Sequence, residues 1–193
     1  MDKEDNKSVE DFLAGDEAAF EKLLQKYLKP VFNFLCQLVR DRNIAEDLAQ
    51  ETFVKVWKNM RRFDSDKKFK TWVFAIAKNT AFDFFKKKKT IPFSVFADED
   101  GNNPLEEING DDSPAGELPD EILMKKDLTR ELDEKLEQIP EKYKIILLMR
   151  YKEDFSLGEI SEILGKPYNT IKSSHSRALF QLKKVFMEDN ASE

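Results

Sequence analysis

The stretch from Phe69 to Lys89 constrains the fold more than any other part of this sequence. Its apolar residues recur every three or four positions, which predicts an α-helix with one wide apolar face. That face comprises Phe69, Trp72, Val73, Ile76, Thr80 and Phe84. The opposite face carries Phe74, Lys78, Phe82 and Phe85 before a run of lysines from Lys86 to Lys89. Rings interleaved with ammonium groups suit single-stranded nucleic acid, in which bases stack and phosphates attract cations. The alternative is a helix that is buried on all sides.

The rest of the N-terminal part also has helical spacing, without sustained alternation of polar and apolar residues. A first helix is expected to begin near Asp16, and Pro30 should end it or start a second one because proline lacks an N–H donor. Asn43 followed by Glu46 resembles the capping box of a further helix that reaches about Met60. The polar side of this helix carries Asp47, Gln50 and Glu51.

An acidic stretch from residue 91 to 119 separates two helical parts. It contains three of the six glycines and four of the seven prolines. Residues 97–121 include ten acids and no base. Such a composition buries too little apolar surface to offset its ordering entropy, which predicts a flexible linker rather than an ordered loop packed on one domain. The predicted organisation is all-α, with helical domains at 1–90 and 120–193 joined by the linker 91–119.

The C-terminal part is expected to contain helices at 120–138 and 142–151, followed by a helix-turn-helix. Ser156 and Glu159 form a capping box, Gly165 supplies a helix end, and Asn169 or Thr170 is expected to cap the last helix. In a helix-turn-helix the outward residues early in the second helix read the major groove. Those residues are Lys172, Ser173, Ser176 and Arg177. The alternative is a helical hairpin with a solvated basic face. His175 is expected at the edge of the core.

Charge and composition exclude several classes of protein. The net charge of −6 disfavours nucleic acid as a partner, but residues 61–89 carry ten bases against three acids. Phosphate binding depends on local potential, because screening limits its range to about 10 Å. One cysteine, Cys36, and one histidine provide neither a disulfide nor a common zinc site. We therefore expect no metal, no cofactor and no catalytic residue. The absence of long apolar runs predicts no membrane insertion and a cytoplasmic location.

Three segments in order resemble those of a known family. AEDLAQETFVKVW, FKTWVFAIAKNTAFDFFKK and IPEKYKIILLMRYKEDFSLGEISEILGKPYNTIKSSHSRAL are similar to segments of bacterial sigma factors of the extracytoplasmic-function (ECF) type. The resemblance spans about Asp16 to Val185. It implies a non-enzymatic initiation factor that binds core RNA polymerase and promoter DNA and helps to open the duplex. It also implies an anti-sigma factor that holds the protein inactive.

The resemblance assigns a role to each group of candidate residues. Core-polymerase binding falls to Asp47, Gln50 and Glu51. Contacts to the minus-ten element, including capture of a flipped base, fall to Phe63, Asp64, Ser65, Lys67, Lys68, Lys70, Trp72, Lys78 and Asn79. Contacts to the minus-thirty-five element fall to Lys172, Ser173, Ser176 and Arg177. The linker corresponds to the segment that threads toward the polymerase active-site cleft.

Two departures and two alternatives accompany this resemblance. Ser174 replaces a frequent arginine and His175 replaces an apolar residue, which affects the promoter sequence rather than the class. A two-domain regulator that binds operators would share the helix-turn-helix without serving polymerase. A helical adaptor would share the helices but would show no salt-dependent affinity for DNA.

Overall fold

A computed structural model describes residues 3–88, 135–136 and 138–190 of the protein. The helices are α1 (Lys3–Leu13), α2 (Glu17–Val39), α3 (Arg42–Asn59), a 3-10 turn (Met60–Arg62), α4 (Phe69–Lys88), α5 (Glu141–Leu147) with a π-helical turn (Leu148–Lys152), α6 (Leu157–Leu164) and α7 (Tyr168–Asn190). The predicted all-α class is confirmed. The predicted linker and most of the helix predicted at 120–138 lie outside the described residues.

Contacts divide the chain into two compact units. The first comprises Met1–Thr90 with Ser156–Pro167, and the second comprises Ile91–Phe155 with Tyr168–Glu193. Helix α6 therefore groups with the first unit, where it packs on α4. The boundaries 1–90, 91–119 and 120–193 stay predictions about the chain's domains.

Helix α2 continues through Pro30, so the predicted break is wrong. Its buried residues lie three or four positions apart on both sides of the proline: Leu23, Tyr27, Val31, Phe34, Leu35 and Leu38. A proline inside a helix costs about 3 kcal/mol. Burying one large apolar side chain returns about 1.5–3 kcal/mol, so several buried residues on one continuous face outweigh the proline.

The N-cap of α3 is Asp41, so the capping box predicted at Asn43 and Glu46 is wrong. The Asp41 carboxylate accepts hydrogen bonds from the N–H groups of Asn43 at 2.9 Å and Ile44 at 3.1 Å. Asp41 has extended backbone angles, as an N-cap requires, whereas Asn43 already lies inside the helix. The aspartate thus starts the helix two residues before the predicted cap.

Helix α1 was not predicted. Among its described apolar residues Val9 is buried, and the Phe12 ring lies 5.5 Å from the Phe20 ring of α2. Its most buried charged residue is Asp5, which accepts hydrogen bonds from the Tyr27 hydroxyl and, at 2.6 Å, from the Lys26 ammonium. Only Val9, Phe12 and Leu13 among its eleven residues are apolar, and the bonds of Asp5 to Lys26 and Tyr27 add to its attachment to α2.

Helix α4 is buried on more sides than its predicted apolar face implies. Phe74 was placed on the outward face, yet it is fully buried with its ring 5.3 Å from the Phe34 ring. Lys78, also predicted outward, is only 9% exposed, whereas Trp72 of the predicted inner face is half-buried. Since α2, α3 and α6 all contact α4, no wide face remains in solvent over its first three turns. The predicted division into two faces is wrong there, and the alternative of general burial is closer.

The second unit has its own core between α5 and α7. The core residues are Leu136, Ile139, Tyr143, Leu147, Leu148, Ala178, Leu179, Leu182 and Val185. The α7 members lie on one face of that helix, which packs on α5.

The ends of α6 follow the predicted turn chemistry. The Ser156 hydroxyl accepts from the Glu159 N–H at 3.2 Å, and the Glu159 carboxylate accepts from the Ser156 N–H at 2.8 Å. Gly165 ends the helix at a φ of 66°, which glycine adopts without strain. Helix α7 begins at Tyr168, directly after Pro167, so the caps predicted at Asn169 and Thr170 are wrong. The short connection leaves both residues inside the helix.

Candidate functional site

The polar face predicted on α3 is exposed. Asp47, Gln50 and Glu51 all lie in solvent. The same face continues into Val54 and Trp57, which are each about half exposed. The sequence analysis did not identify these two as site residues. Val54 lies three positions after Glu51 and Trp57 lies seven positions after Gln50, so helical spacing places both on the same face. Carboxylates beside large exposed apolar groups form a surface suited to a partner that offers both cations and apolar area.

One lysine connects this face with α4. The Lys55 ammonium lies 2.8 Å from the Glu51 carboxylate and donates to the Thr80 hydroxyl at 3.1 Å. The Asp83 carboxylate lies 3.9 Å from the same ammonium. Two helices that carry different candidate sites therefore share one cation.

The loop between the 3-10 turn and α4 brings most of the predicted base-capturing residues together. Asp64 organises it, since its carboxylate accepts from the Asp66 N–H at 3.0 Å and its carbonyl accepts from the Lys67 N–H at 3.0 Å. Asp64, Ser65, Lys67 and Lys68 are exposed, and Phe63 is half-buried. The loop is thus a short, polar turn with an aromatic residue at its base.

An aromatic cluster supports this loop. The Phe63 ring lies 5.5 Å from Phe69 and 5.2 Å from Trp72, and those two rings lie 5.7 Å apart. Tyr27 of α2 extends the cluster, with its ring 5.6 Å from Phe69. Half-buried Trp72 and Phe63 offer partly exposed rings on which a base can stack.

The cations of α4 differ in their access to solvent. Asn79 is exposed and Lys70 is half-buried, with its ammonium 5.9 Å from the centre of the Phe74 ring. The Lys78 ammonium lies 5.3 Å from the centre of the Phe82 ring, and burial lowers the pKa of Lys78, an effect that Asp83 partly opposes. At the N-terminal edge, the Lys68 ammonium lies 2.8 Å from the Glu159 carboxylate in the same unit.

The predicted reading positions of α7 lie early in the helix. Lys172, Ser173 and Ser176 are exposed, whereas Arg177 is half-buried. The two serine hydroxyls donate to backbone carbonyls within the helix, at 3.0 Å for Ser173 and 3.2 Å for Ser176. Their lone pairs remain able to accept hydrogen bonds from a partner.

His175 lies at the edge of the second unit's core, as predicted. Its Nε2 atom lies 3.2 Å from the Tyr151 hydroxyl oxygen, and the two rings stack at 5.8 Å. Burial lowers the pKa of His175, and the nearby charge of Arg150 lowers it further. Both effects disfavour the charged imidazolium, which favours packing over phosphate contact.

Comparison with known protein families assigns these surfaces to two separate regions of the chain. The profile of Sigma-70 region 2 matches residues 23–91, and the profile of Sigma-70 region 4 matches residues 129–182. Together they cover more than half of the chain. The chain belongs to the sigma-70 family. The α3 face, the loop and α4 lie in region 2, whereas the α7 positions lie in region 4.

Curated relatives place this sigma factor in the ECF branch. The ECF RNA polymerase sigma factor SigW of Bacillus subtilis is 29% identical over 180 residues, which cover 92% of this chain and 94% of SigW. The ECF RNA polymerase sigma-E factor of Haemophilus influenzae is 28% identical over 183 residues, or 90% of each chain. The protein is a sigma factor that directs RNA polymerase, and neither the operator-binding regulator nor the adaptor gains support.

Two solved structures share this fold. The sigma factor RpoE of Bartonella quintana, solved with the anti-sigma factor NepR, has a TM-score of 0.62 at 22% identity, covering 87% of this chain and 96% of RpoE. CnrH, solved with the cytosolic domain of CnrY, has a TM-score of 0.68 at 17% identity, covering 96% and 99%. Within the described part of this sigma factor, no helix has the length and apolar character needed to span a bilayer.

Proposed function

We propose that three surfaces of this sigma factor each carry out one part of transcription initiation. The face of α3 binds core polymerase, the loop at 63–68 with α4 captures unpaired bases of the minus-ten element, and the start of α7 reads the minus-thirty-five element. The exposed face of α3 carries the proposal, because acids, an amide and two large apolar side chains lie together in solvent.

Polymerase binding uses both the polar and the large apolar side chains on the exposed face of α3. The Asp47 and Glu51 carboxylates and the Gln50 amide receive arginine or lysine side chains of the clamp coiled coil. Trp57 and Val54 supply apolar area, and exposed tryptophans are frequent anchors of protein interfaces. The combination explains why a large aromatic residue remains in solvent beside a row of polar groups.

Capture of the minus-ten strand uses the loop and the partly exposed rings behind it. An unpaired base enters the turn formed by Asp64 and Ser65, while Phe63 and Trp72 support stacking. Lys67, Lys68, Lys70 and Asn79 contact the backbone of that strand, and Lys78 joins them if its ammonium leaves the Phe82 ring. Unstacking and unpairing a base costs a few kcal/mol, which these contacts offset. Lys68 must exchange the Glu159 carboxylate for a phosphate in this state.

Recognition of the minus-thirty-five element uses the first turns of α7. Lys172 and Arg177 donate to guanine edges or phosphates, and Ser173 and Ser176 accept or donate within the groove. The exposure of Lys172 and the two serines supports this assignment. Arg177 is half-buried, so its guanidinium reaches the duplex along the side of the helix.

The remaining proposals concern partners and setting. Because relatives in the same fold were solved with an anti-sigma factor or with the cytosolic domain of CnrY, we expect an inhibitory partner of this type for this chain. The protein acts in the cytoplasm, where polymerase and the promoter lie. It has no catalytic residue of its own, since the chemistry of RNA synthesis belongs to the polymerase.

A reconstituted holoenzyme tests the proposal directly. The protein and core polymerase are mixed with a library of randomised promoters, and the transcribed templates are sequenced. We expect two enriched elements and, on the selected templates, thymines that react with permanganate in a bubble at the start site. Core polymerase alone is the control. If the complete holoenzyme enriches no element, or its templates show no reactive thymine, the proposed function is refuted.

A further inference from the structure

We propose that helix α1 sets the conformation of the base-capturing loop, with Asn6 and Asp5 as positioning residues. The inference rests on the proposed function of that loop. Helix α1, Lys3–Leu13, lies outside residues 23–91, which match Sigma-70 region 2. Nothing in the region-2 match therefore assigns this helix a part in promoter recognition.

Asn6 holds the tip of the loop. Its side-chain amide donates to the backbone carbonyl of Ser65 at 2.7 Å, across 59 positions of sequence. Ser65 lies between Asp64 and Asp66, the two residues joined by the turn that shapes the loop. A carbonyl held from behind fixes the orientation of the adjoining peptide planes, and these planes determine which base edges the loop can accept.

Asp5 fixes the position of α1 from which Asn6 donates to the Ser65 carbonyl. Its side chain is only 2% exposed and accepts hydrogen bonds from both Tyr27 and Lys26. A buried carboxylate with two donors is costly to shift, because any movement leaves a polar group unsatisfied. The residue next to it in sequence, Asn6, is therefore held in a fixed place.

The same anchor also reaches the base of the loop. The Tyr27 ring packs against Phe69, and Phe69 packs against Phe63, the first residue of the loop. Helix α1 is thus linked to the loop by two routes: a hydrogen bond from Asn6 at the tip, and the contacts from Asp5 through Tyr27 and Phe69 to Phe63 at the base. A helix linked to both parts of a recognition loop affects base selection without contacting DNA.

The test compares base preferences of holoenzymes carrying wild-type protein, Asn6→Ala and Asn6→Asp. Each is incubated with promoter DNA that carries a pre-opened, randomised minus-ten bubble, and the bound molecules are sequenced. Asp64→Ala, a change in the loop itself, identifies the base position that the loop reads. Glu10→Gln, an exposed change on α1, serves as the matched control. Binding of each variant to core polymerase is measured in parallel.

We expect Asn6→Ala to weaken the preference at the position marked by Asp64→Ala by about threefold to tenfold, the range for one lost hydrogen bond. Asn6→Asp should weaken it more, because a carboxylate then faces the Ser65 carbonyl. Preferences elsewhere, affinity for core polymerase and the Glu10→Gln profile should remain within about twofold of wild type, a margin below the effect of that bond.

Two results would overturn the inference while leaving the proposed function intact. One is an unchanged preference at the marked position in both Asn6 variants. The other is an equal loss at every position, which would indicate general destabilisation instead of positioning. If the wild-type holoenzyme shows no preference that Asp64→Ala alters, the role of the loop itself is refuted, and the inference with it.

Discussion

Replacement of Glu51 by glutamine should separate polymerase binding from stability. In the free protein the Glu51 carboxylate pairs with Lys55 on a solvent-facing surface: its side chain is 50% exposed, and that of Lys55, 2.8 Å away, is 35% exposed. An exposed pair four residues apart on a helix contributes about 0.3–0.5 kcal/mol. For a unit of this size, that loss lowers the Tm by about 1–4 °C.

The expected effect on polymerase affinity is much larger. If Glu51 receives a cationic side chain in the complex, removal of its charge leaves that cation without its partner at the interface. Truncating one member of such a pair costs about 2–5 kcal/mol. The Kd for core polymerase should therefore rise by about 30-fold or more.

The assay is titration of labelled sigma factor with core polymerase, beside thermal unfolding of the free protein. Glu21→Gln is the matched control, because Glu21 is an exposed carboxylate of α2 that also has a partner four residues away, Gln25 at 3.3 Å. Both variants should unfold within a few degrees of wild type, and only Glu51→Gln should lose affinity. Equal Kd values for the two variants would refute the assignment of the α3 face.

Three further predictions concern the core, pH and DNA. Phe74→Ala removes a fully buried ring packed on Phe34 and should lower the free energy of unfolding by about 3–5 kcal/mol in urea denaturation. Because the pKa of His175 is lowered in the folded state, the contribution of its neutral form to stability is complete above the ordinary pKa of 6.5 and is lost as the pH falls. Between pH 7.5 and 5.5, the free energy of unfolding in urea should therefore decline less for His175→Gln than for wild type. A decline of equal size would contradict this. Lys172→Ala should reduce the salt slope of holoenzyme binding to promoter duplex by about 0.9 if the ammonium meets a phosphate, and an unchanged slope and affinity would exclude contact.

The features that could be predicted from sequence are those set by neighbouring residues. The capping box of α6 and the glycine that ends it depend on side chains and backbone within a few positions, so their chemistry is visible in the sequence. The apolar spacing of α7 likewise defines one face, which packs on α5. The exposure of Asp47, Gln50 and Glu51 also follows from spacing, because the opposite side of α3 is apolar.

Several features that could not be predicted depend on distant partners. The sequence pattern places Phe74 and Lys78 on an outer face of α4, but α2, α3 and α6 surround that helix in the structure. Pro30 indicates a helix end in the sequence, but the buried residues on both sides of it keep α2 continuous. The bond from Asn6 ends on a backbone carbonyl, which has no sequence signature, so no motif could have identified it. In each case the decisive contact joins residues that the sequence separates.

Under the proposed function, the shared ammonium of Lys55 makes the two proposed binding surfaces of the first unit thermodynamically dependent on each other. It is shared by Glu51 on α3 and by Thr80 and Asp83 on α4. A ligand that draws the Glu51 carboxylate away strengthens the interaction of the Lys55 ammonium with Thr80 and Asp83 on α4. A ligand that shifts α4 changes the interaction between Lys55 and Glu51 in turn. Linkage requires the two effects to be equal in free energy, so a change in strand affinity caused by polymerase must be matched by a change in polymerase affinity caused by the strand.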